Sequence, residues 1–465
     1  MRTIPLFQHH IKAGFLILGL VELMVLVVAV SVAAYARFEW DPLLVRESVG
    51  PLFPKAVFFA LVVQLGMVAT GLYQRHLRDG YGGIGRRLVI AFVIAVIFLT
   101  VFFYTLPELY LGRGILGAAL LIAFPSLLAV RATFFSVVRS PGMRRHVLVL
   151  GAGRGAEALS QFRRETDRLG KDIIGYVPMG SETPRVPKSQ LVELGEGLCP
   201  YAYRNVDEIV VAVEERRDVL PVQELLECRV RGIEVVDLLT FLERETGKVK
   251  VDLAQPSWFT YSPGFFYRGL FHRTFKRAID LVGALALLVL AGPVMIATAL
   301  AIRLEDGGPV FYRQTRAGED GRPFQLIKFR SMRTDAERMG VPQWAEENDP
   351  RVTRVGAVIR KYRIDELPQV LNILRGDMSF VGPRPERPEF EEELLRELPF
   401  YAERHRVKPG LTGWAQISYP YGASQEDALE KLQYDLYYVK NFSLFLDLMI
   451  LIHTAEVVLW GKGAR

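Results

Sequence analysis

The stretch LVGALALLVLAGPVMIATALAI, Leu281–Ile302, contains no charged side chain. It is long enough to cross roughly 30 Å of hydrocarbon as a helix. Gly292 and Pro293 lie in its middle, where proline removes a helix hydrogen bond and favours a break or a kink. Basic residues flank it on both sides: Arg268, Arg273, Lys276 and Arg277 before it, and Arg303, Arg313, Arg316, Arg322, Lys328 and Arg330 after it. A single crossing would place one basic cluster outside, so we predict a re-entrant helix-break-helix near residues 278–303, with a proline-kinked spanning helix as the alternative.

Four further apolar segments precede this one, at roughly residues 14–36, 56–73, 88–106 and 114–130. Arginines cluster between the second and third segments and after the fourth, which predicts a four-helix transmembrane bundle with both ends in the cytoplasm. Glu22 lies inside the first segment. A functional carboxylate and a structural carboxylate facing the bundle interior are equally compatible with that position.

Composition agrees with a membrane protein and an anionic partner. Half of the 465 residues are hydrophobic and the net charge is +6. Lipid headgroups and phosphorylated substrates fit this charge better than nucleic acid does, given the apolar segments. The two cysteines, Cys199 and Cys228, lack the spacing of a disulfide framework or of a zinc site. We find no cleavable signal peptide pattern at the start.

Residues from about 145 to 250 have the alternating pattern of a doubly wound, Rossmann-like α/β domain. Apolar strands are predicted at 146–150, 172–177, 208–213 and 232–237, with a helix at 157–169. Gly151, Gly153 and Ala156 match the dinucleotide-binding fingerprint, but no acidic residue follows the second strand to bind a ribose. We therefore expect no NAD. Leu444–Trp460 is apolar but contains three ionisable residues, which favours an interfacial or a core helix over a span.

Cations and carboxylates concentrate in the carboxy-terminal region. Arg360-Lys-Tyr-Arg363-Ile-Asp365-Glu366 places adjacent carboxylates beside basic residues, and Lys328, Arg330 and Arg384 lie in other basic motifs. Such a set suits a pyrophosphate: arginines bind phosphate oxygens, a Glu holds Mg²⁺, and a neighbouring Asp, kept ionised by the cations, attacks phosphorus. The alternative for Asp365 is an N-cap of a helix starting near Pro368.

Together these motifs resemble the bacterial sugar transferase family, the monotopic phosphoglycosyl transferases. The resemblance covers residues 276–465, and the segments before it resemble the large members of the family, of exopolysaccharide type. Its motifs are Lys276-Arg277-x-x-Asp280, Gly308-Pro-Val-Phe-Tyr-Arg-Gln, Lys328-Phe-Arg-Ser-Met, Arg363-Ile-Asp-Glu-Leu-Pro-Gln, Met378-Ser-Phe-Val-Gly-Pro-Arg-Pro-Glu and Val407-Lys-Pro-Gly-Leu-Thr-Gly-Trp-Ala-Gln. Some members have Ser-Pro where this chain has Gly292-Pro293.

The resemblance implies a reaction and its residues. Asp365 would be the nucleophile on a UDP-sugar, releasing UMP, and undecaprenyl phosphate would then accept the sugar-1-phosphate. This is the initiating step of exopolysaccharide, capsule or O-antigen synthesis. Glu366 and Asp365 would hold Mg²⁺, and Lys276, Arg277 and Asp280 would lie at the membrane interface. Phosphates would be held by Lys328, Arg330, Arg360, Arg363 and Arg384, and the nucleotide would be covered by Pro409, Gly410, Thr412, Gly413, Trp414 and Gln416.

The resulting expectation is a membrane protein of α plus α/β class with three domains. Residues 1–140 form the transmembrane bundle, 141–255 the Rossmann-like domain, and 256–465 an α-rich monotopic catalytic domain. We expect a homodimer in the bacterial inner membrane with its catalytic domain on the cytoplasmic face. The sugar is not readable from the sequence.

Other functions make different predictions. A nucleotide-sugar enzyme using NAD would bind the cofactor tightly through residues 140–255, but the short-chain dehydrogenase signature Tyr-x-x-x-Lys is absent from the sequence. A non-enzymatic scaffold of polysaccharide assembly would tolerate Asp365→Asn. A processive polymerase is disfavoured because the sequence has no Asp-x-Asp pair.

Overall fold

The computed structural model describes residues 3–6, 9–73, 81–139, 144–160, 171–194, 197–214, 219–262, 264–265, 270–334, 351–419 and 424–460. The chain divides into two compact units, Met1–Gly247 and Lys248–Arg465. The second unit begins close to the boundary predicted at residue 255. The two predicted amino-terminal domains both fall in the first unit.

The first unit starts with a two-stranded antiparallel hairpin followed by long apolar helices. These elements are β1 (Thr3–Leu6), β2 (His9–Lys12), α1 (Ala13–Arg37), α2 (Pro42–Val49), α3 (Leu52–Ala69), α4 (Tyr81–Thr105) and α5 (Arg113–Arg139). Helix α1 packs against α3 and α5, and α3 packs against α4. Their shared core includes Leu26, Phe59, Leu88 and Ala119, each buried. Helices α1, α3, α4 and α5 each contain a stretch long and apolar enough to cross a membrane.

A buried ion pair lies inside this core. Arg131 of α5 reaches Glu22 of α1 through Nε, 2.7 Å from Oε1, and through Nη2, 3.0 Å from Oε2. Arg131 Nη1 also donates to Leu72 O at 2.7 Å, and Tyr73 donates to the Glu22 carboxylate. Both charged side chains are at most 1% exposed. Of the two alternatives for Glu22, the structure supports the structural carboxylate.

We expect Glu22→Gln to destabilise the protein. The substitution leaves the Arg131 guanidinium buried without a counter-charge, which lowers the free energy of unfolding by about 3 kcal/mol. Thermal unfolding of the full chain in detergent micelles measures the change, and Glu22→Gln combined with Arg131→Met should recover most of the loss. A single variant as stable as the wild type would contradict this prediction.

The second half of the first unit contains a four-stranded parallel sheet of order β4-β3-β5-β6. This arrangement confirms the predicted parallel sheet, although the last two strands are shorter than expected. Its elements are β3 (Arg145–Leu150), α6 (Arg154–Ser160), β4 (Lys171–Val177), α7 (Leu198–Asn205), β5 (Glu208–Val211), α8 (Val222–Val230), β6 (Glu234–Asp237) and α9 (Leu238–Thr246). The predicted helix 157–169 lies partly outside the described residues.

The Gly151 loop has the close backbone approach of a dinucleotide-binding loop, but carboxylates lie against it. Gly151 has φ 109°, and a Cβ there would meet the Ala212 backbone at 2.9 Å, so only glycine fits. Glu214 Oε1 accepts a hydrogen bond from Arg154 N at 3.2 Å, and Glu182 Oε2 lies 3.1 Å from the Cβ position of Gly153. These negative charges stand where a pyrophosphate would approach the helix N-terminus.

The second unit is mainly helical, with two small sheets. Its strands are β7 (Phe311–Ala317) and β8 (Pro323–Phe329), which pair antiparallel, and β9 (Ser379–Val381) and β10 (Gly410–Thr412), which pair parallel. Its helices are α10 (Pro256–Tyr261), α11 (Leu270–Asp306), α12 (Arg354–Lys361), α13 (Val370–Arg375), α14 (Pro388–Glu397), α15 (Trp414–Ser418), α16 (Gln425–Asn441) and α17 (Leu444–Trp460). Its described residues also form short 3-10 helices at Val251–Leu253, Glu319–Gly321, Ile364–Gln369 and Tyr401–Arg406.

Helix α11 carries the apolar stretch with which the sequence analysis began. It runs without interruption through Gly292 and Pro293, so within the described range 270–334 the predicted break in the helix is not seen. Proline removes one hydrogen bond but has a helical φ, so a helix can continue through it. Large apolar side chains on this helix are exposed, Val289 by 76% and Leu290 by 78%. The helix is long and apolar enough to cross a membrane, and the re-entrant course stays a prediction.

The residues predicted at the membrane interface contact other parts of the second unit. Lys276 Nζ lies 2.6 Å from Asp447, and Arg277 donates to the carbonyls of Ile373 and Leu374 at the end of α13. Asp280 is 4% exposed and accepts hydrogen bonds from Ser379 Oγ and Phe380 N in β9. Asp280 is thus buried among groups of the second unit, and the position of this end of α11 at a membrane interface stays a prediction. These contacts hold α11 on the elements that flank the candidate site.

Helix α17 belongs to the core. Leu446 and Ile450 are fully buried and pack with Tyr437 and Tyr438 of α16. Asp447 is satisfied by Lys276 and by the Tyr438 hydroxyl, which donates to it at 2.7 Å. The structure therefore supports the core-helix alternative for the described part of this segment.

Candidate active site

The predicted carboxylates lie on the short 3-10 helix Ile364–Gln369, beside the end of β8. Arg363, the residue before this helix, has a left-handed backbone with φ 54°. A non-glycine residue in this region carries a backbone cost of about 1 kcal/mol, which surrounding contacts must offset. Such a conformation next to two carboxylates marks a place where the fold imposes a particular orientation on the chain.

Glu366 is held by two cations from separate elements. Its Oε1 accepts hydrogen bonds from Lys328 Nζ of β8 at 3.1 Å and from Arg384 Nη2 at 2.9 Å. Arg363 Nη1 lies 3.9 Å from the other oxygen, Oε2. Burial alone would raise the pKa of Glu366, but Arg384 and Lys328 hold it well below its usual range. Glu366 is therefore a fixed anion at the centre of the site.

Asp365 has a different environment. No hydrogen bond reaches its carboxylate from the described residues. Burial raises the pKa of Asp365 above its usual value, and Lys328 is the strongest opposing influence. The neighbouring Glu366 adds to the rise, whereas Arg360 and Arg384 lower the pKa. In the protein without substrate, the loss of hydration therefore outweighs the cations in setting the direction of the pKa shift, and the expectation that the cations keep Asp365 ionised stays a prediction.

The helix-cap alternative for Asp365 is excluded by the geometry. Arg363 is the cap residue of the 3-10 helix, and Gln369 precedes α13. Neither helix start receives a side-chain cap hydrogen bond. The Asp365 carboxylate is therefore not used to satisfy helix N–H groups.

The predicted phosphate-binding residues separate into two groups. Lys328 and Arg384 contact Glu366 directly, and Arg363 and Arg360 lie near the carboxylates. Arg330 is different: it is 7% exposed and forms a salt bridge with Asp306 at the end of α11. A Cβ at residue 308 would collide with Arg330 Nη1, so Gly308 leaves room for this pair. The structure thus brings four of the five predicted cations to the carboxylates.

The predicted nucleotide loop lies against the segment that carries Arg384. Gly382 N donates to Thr412 O, and Gly410 N donates to Pro383 O, both at 2.9 Å. Gly413 lies so close to Gly382 O that a Cβ there would be 2.2 Å away. Trp414 stacks on Tyr437. Pro409 O accepts from Ser379 N, and Gln416 Nε2 donates to Leu411 O at 3.3 Å. The loop therefore packs against the segment that carries Arg384. Its contact with a nucleotide stays a prediction.

The oxygens left available suit Mg²⁺. Both oxygens of Asp365 lack a hydrogen-bond donor among the described residues, and the contact seen at Glu366 Oε2 is Arg363 Nη1, 3.9 Å away. Mg²⁺ is commonly held by one or two carboxylates together with substrate phosphates and water. The described residues contain no cluster of three or more His, Cys, Asp or Glu side chains that could hold a metal alone. Mg²⁺ at these two carboxylates stays a prediction.

Sequence reasoning missed a buried pair beside the site, His405 and Glu391. His405 Nε2 lies 3.3 Å from Glu391 Oε1, and neither atom has another partner among the described residues. Burial raises the pKa of Glu391 to about 7, with Glu386 adding to the rise and Arg404 and Arg316 opposing it. Burial and the charge of Arg404 lower the pKa of His405 to about 4, whereas a hydrogen bond with the Gly318 backbone acts in the opposite direction. His405 is therefore neutral near pH 7, and Glu391 is about half protonated there.

Because of this pair, we expect the free energy of unfolding to fall as the pH rises through neutrality. The folded-state pKa of Glu391 exceeds its ordinary value of 4.5, so its stabilising proton is lost as pH rises through about 7. Between pH 6 and 8 the unfolding free energy should fall by about 1 kcal/mol from this group. Glu391→Gln keeps a donor for His405 at every pH, so the unfolding temperature of the variant should not show this decline. An equal decline in both proteins would contradict the assignment.

Known proteins resemble this chain over part or most of its length. The bacterial sugar transferase family matches residues 271–461. A UDP-glucose:undecaprenyl-phosphate glucose-1-phosphate transferase of Xanthomonas campestris is 32% identical over 372 residues, covering 76% of this chain and 75% of that protein. The chain belongs to the bacterial sugar transferase family.

Other relatives match about half of this chain. A UDP-N-acetylgalactosamine-undecaprenyl-phosphate N-acetylgalactosaminephosphotransferase of Aeromonas hydrophila is 45% identical over 242 residues. The match spans 52% of this chain and 56% of that protein. A UDP-glucose:undecaprenyl-phosphate glucose-1-phosphate transferase of Escherichia coli is 45% identical over 197 residues, 42% of each chain. The chain therefore spans about half the length of these two relatives or less.

Proposed function

We propose that this protein transfers a sugar-1-phosphate from a UDP-sugar to undecaprenyl phosphate. The relatives named above carry this reaction in their names, with glucose or N-acetylgalactosamine as the sugar. The observation that carries the proposal is the difference between the hydrogen bonds of the two adjacent carboxylates. Glu366 is fixed by Lys328 and Arg384, whereas the adjacent Asp365 has no hydrogen bond from the described residues.

This difference gives the carboxylates separate roles. An Asp365 oxygen attacks the β-phosphorus of the UDP-sugar, and the bond from that phosphorus to the bridging oxygen breaks. UMP leaves with the bridging oxygen, and an aspartyl-phosphosugar remains on the enzyme. A phosphate oxygen of undecaprenyl phosphate then attacks the same phosphorus. The bond to Asp365 breaks, which restores the carboxylate and forms undecaprenyl diphosphosugar.

The cations make the attack possible by offsetting charge. A carboxylate approaching a pyrophosphate meets strong repulsion, and fixed positive groups reduce it most in a poorly hydrated site. Lys328 and Arg384 are held in place by Glu366, so they need little reorganisation when substrate binds. Mg²⁺, held by Glu366 and Asp365 with the substrate phosphates, would supply further charge neutralisation.

The apolar helices support a reaction that takes place at a membrane. We propose that α1, α3, α4 and α5 form a transmembrane bundle and that α11 enters the bilayer and returns, in the bacterial inner membrane with the catalytic region on the cytoplasmic face. The acceptor phosphate lies at the headgroup plane, so the site must lie there too. The carboxylates near the Gly151 loop support the proposal that the Rossmann-like part binds no NAD. A homodimer stays a prediction.

The test is UMP release by the purified full chain with a panel of UDP-sugars, Mg²⁺ and undecaprenyl phosphate. Sustained release that requires the lipid, with one sugar preferred, is the expected result and identifies the sugar. A stoichiometric first turnover without lipid is expected from a two-step path. If no UDP-sugar gives release and no other nucleotide-sugar does, the proposed function is wrong and a scaffold role takes its place.

A further inference from the structure

The segment that carries Arg384 is held by its backbone along its whole length. Pro383 and Pro385 flank Arg384 and have no N–H groups, so the backbone of these two residues can be hydrogen-bonded only through its carbonyl oxygens. The carbonyls of residues 383–386 accept hydrogen bonds, in order, from Gly410 N at 2.9 Å, Arg404 Nη2 at 2.8 Å, Arg316 Nη1 at 3.2 Å and Ala317 N at 3.2 Å. The bond to the carbonyl of Arg384 itself therefore comes from the side chain of Arg404.

Arg404 is itself fixed within the core. It is 6% exposed and donates from Nη1 to the Tyr401 hydroxyl at 2.6 Å. Its Nη2 also lies 2.8 Å from Asp435 Oδ2 of α16, and Asp435 is 3% exposed. A buried guanidinium with a buried carboxylate partner holds one geometry, because leaving either charge alone is costly. Arg404 thus connects α16 rigidly to the Arg384 backbone.

A small, partly open crevice lies beside Arg384 and is lined by residues that include Arg384, Arg404, His405 and Pro409. Without the bond from Arg404, the carbonyl of Arg384 would lose its donor, and the Arg384 peptide could shift toward this crevice. Its side chain would then lose its 2.9 Å contact with Glu366.

We propose that Arg404, supported by Asp435 and Tyr401, is a positioning residue that keeps the Arg384 guanidinium on Glu366 and therefore on the substrate pyrophosphate. The proposal rests on the phosphotransfer function proposed above. Arg404 has no contact with the carboxylates, so it acts only through Arg384. A displacement of about 1 Å in a charged group of this kind lowers a rate by up to about 100-fold.

Arg404→Lys tests the proposal. Lysine keeps the positive charge for Asp435, but a single ammonium cannot also reach Tyr401 and the Arg384 carbonyl in the same geometry. We expect kcat for lipid-dependent UMP release to fall about 30-fold. The matched control is Arg406→Lys in the same 3-10 helix: Arg406 is exposed and pairs only with Glu403 among the contacts seen, so its rate should match the wild type.

A double-mutant cycle separates positioning from general destabilisation. In an Arg384→Ala background the guanidinium is gone, so adding Arg404→Lys should change kcat less than about 2-fold. A further 30-fold loss in that background would overturn the proposal, as would a wild-type rate for Arg404→Lys alone. A wild type without UMP release would instead refute the proposed function.

Tyr401→Phe serves if Arg404→Lys does not fold. It removes one hydrogen-bond acceptor from Arg404 and keeps the ring, so the fold should persist. We expect kcat to fall about 3-fold in the wild-type background and to stay unchanged with Arg384→Ala, since roughly one neutral hydrogen bond is lost. Additive losses in the two backgrounds would overturn the proposal.

Discussion

Replacing Asp365 by asparagine is expected to lower lipid-dependent UMP release by roughly 10⁴-fold, because an amide cannot form the covalent phosphosugar. The side chain keeps its size, and no hydrogen bond from the described residues is lost. The unfolding temperature should therefore stay close to that of the wild type. The measurement is the initial rate of UMP release with the preferred UDP-sugar.

Covalent labelling distinguishes a nucleophile from a metal ligand. With a UDP-sugar labelled in the β-phosphate and no lipid, the wild type should retain about one label per chain after denaturation, and Asp365→Asn none. Asp377→Asn is the matched control, since Asp377 lies a short distance along the chain and contacts Asn372 rather than the site cations. Label retained by Asp365→Asn at the wild-type level would refute the covalent role of Asp365 and leave the reaction class standing.

The second large effect is expected from Glu366→Gln, with a loss of about 10³-fold in kcat. The amide removes the charge that orients Lys328 and Arg384, whose contacts at 3.1 and 2.9 Å both end on one oxygen. Loss of a preorganised charge in such a site costs about 3–4 kcal/mol of transition-state stabilisation. The Mg²⁺ concentration giving half-maximal rate should rise as well.

Glu366→Asp provides the conservative comparison. The shorter carboxylate keeps its charge but cannot hold both cations at the same distances, so we expect it to recover part of the rate lost in Glu366→Gln. Equal activity of Glu366→Gln and the wild type would show that the Glu366 carboxylate is not needed for the reaction. A changed rate with an unchanged Mg²⁺ requirement would remove Glu366 from the metal site and retain its role in orienting cations.

The long apolar helices and the strands of the parallel sheet were predictable from sequence because each depends on a local pattern. An uncharged run longer than a bilayer crossing can be read residue by residue, as Leu281–Ile302 shows. The same holds for β3–β6, whose apolar runs end at turn residues. Asp365 and Glu366 were found through their adjacent cations and through a resemblance that covers residues 276–465.

Contacts between distant segments were not predictable in the same way. Cys199 and Cys228 showed no pairing pattern, yet their sulfurs lie 2.9 Å apart because α7 and α8 pack together. Asp280 had the pattern of a membrane-flanking charge, but the path of β9 buries it. Asp435 gave one signal, a lone carboxylate among aromatic residues in Tyr434–Tyr438, but its partner Arg404 could not be inferred from spacing.

The residue types in the sequence determine which kinds of chemistry this protein can carry out. Tertiary packing determines which of those residues takes which role. From the sequence alone, phosphate binding is equally plausible for Lys328, Arg330 and Arg384. Packing gives Arg330 to Asp306 and gives Lys328 and Arg384 to Glu366. The physical reason is that a charge's partner and pKa depend on distance and burial, and both arise only when remote segments meet.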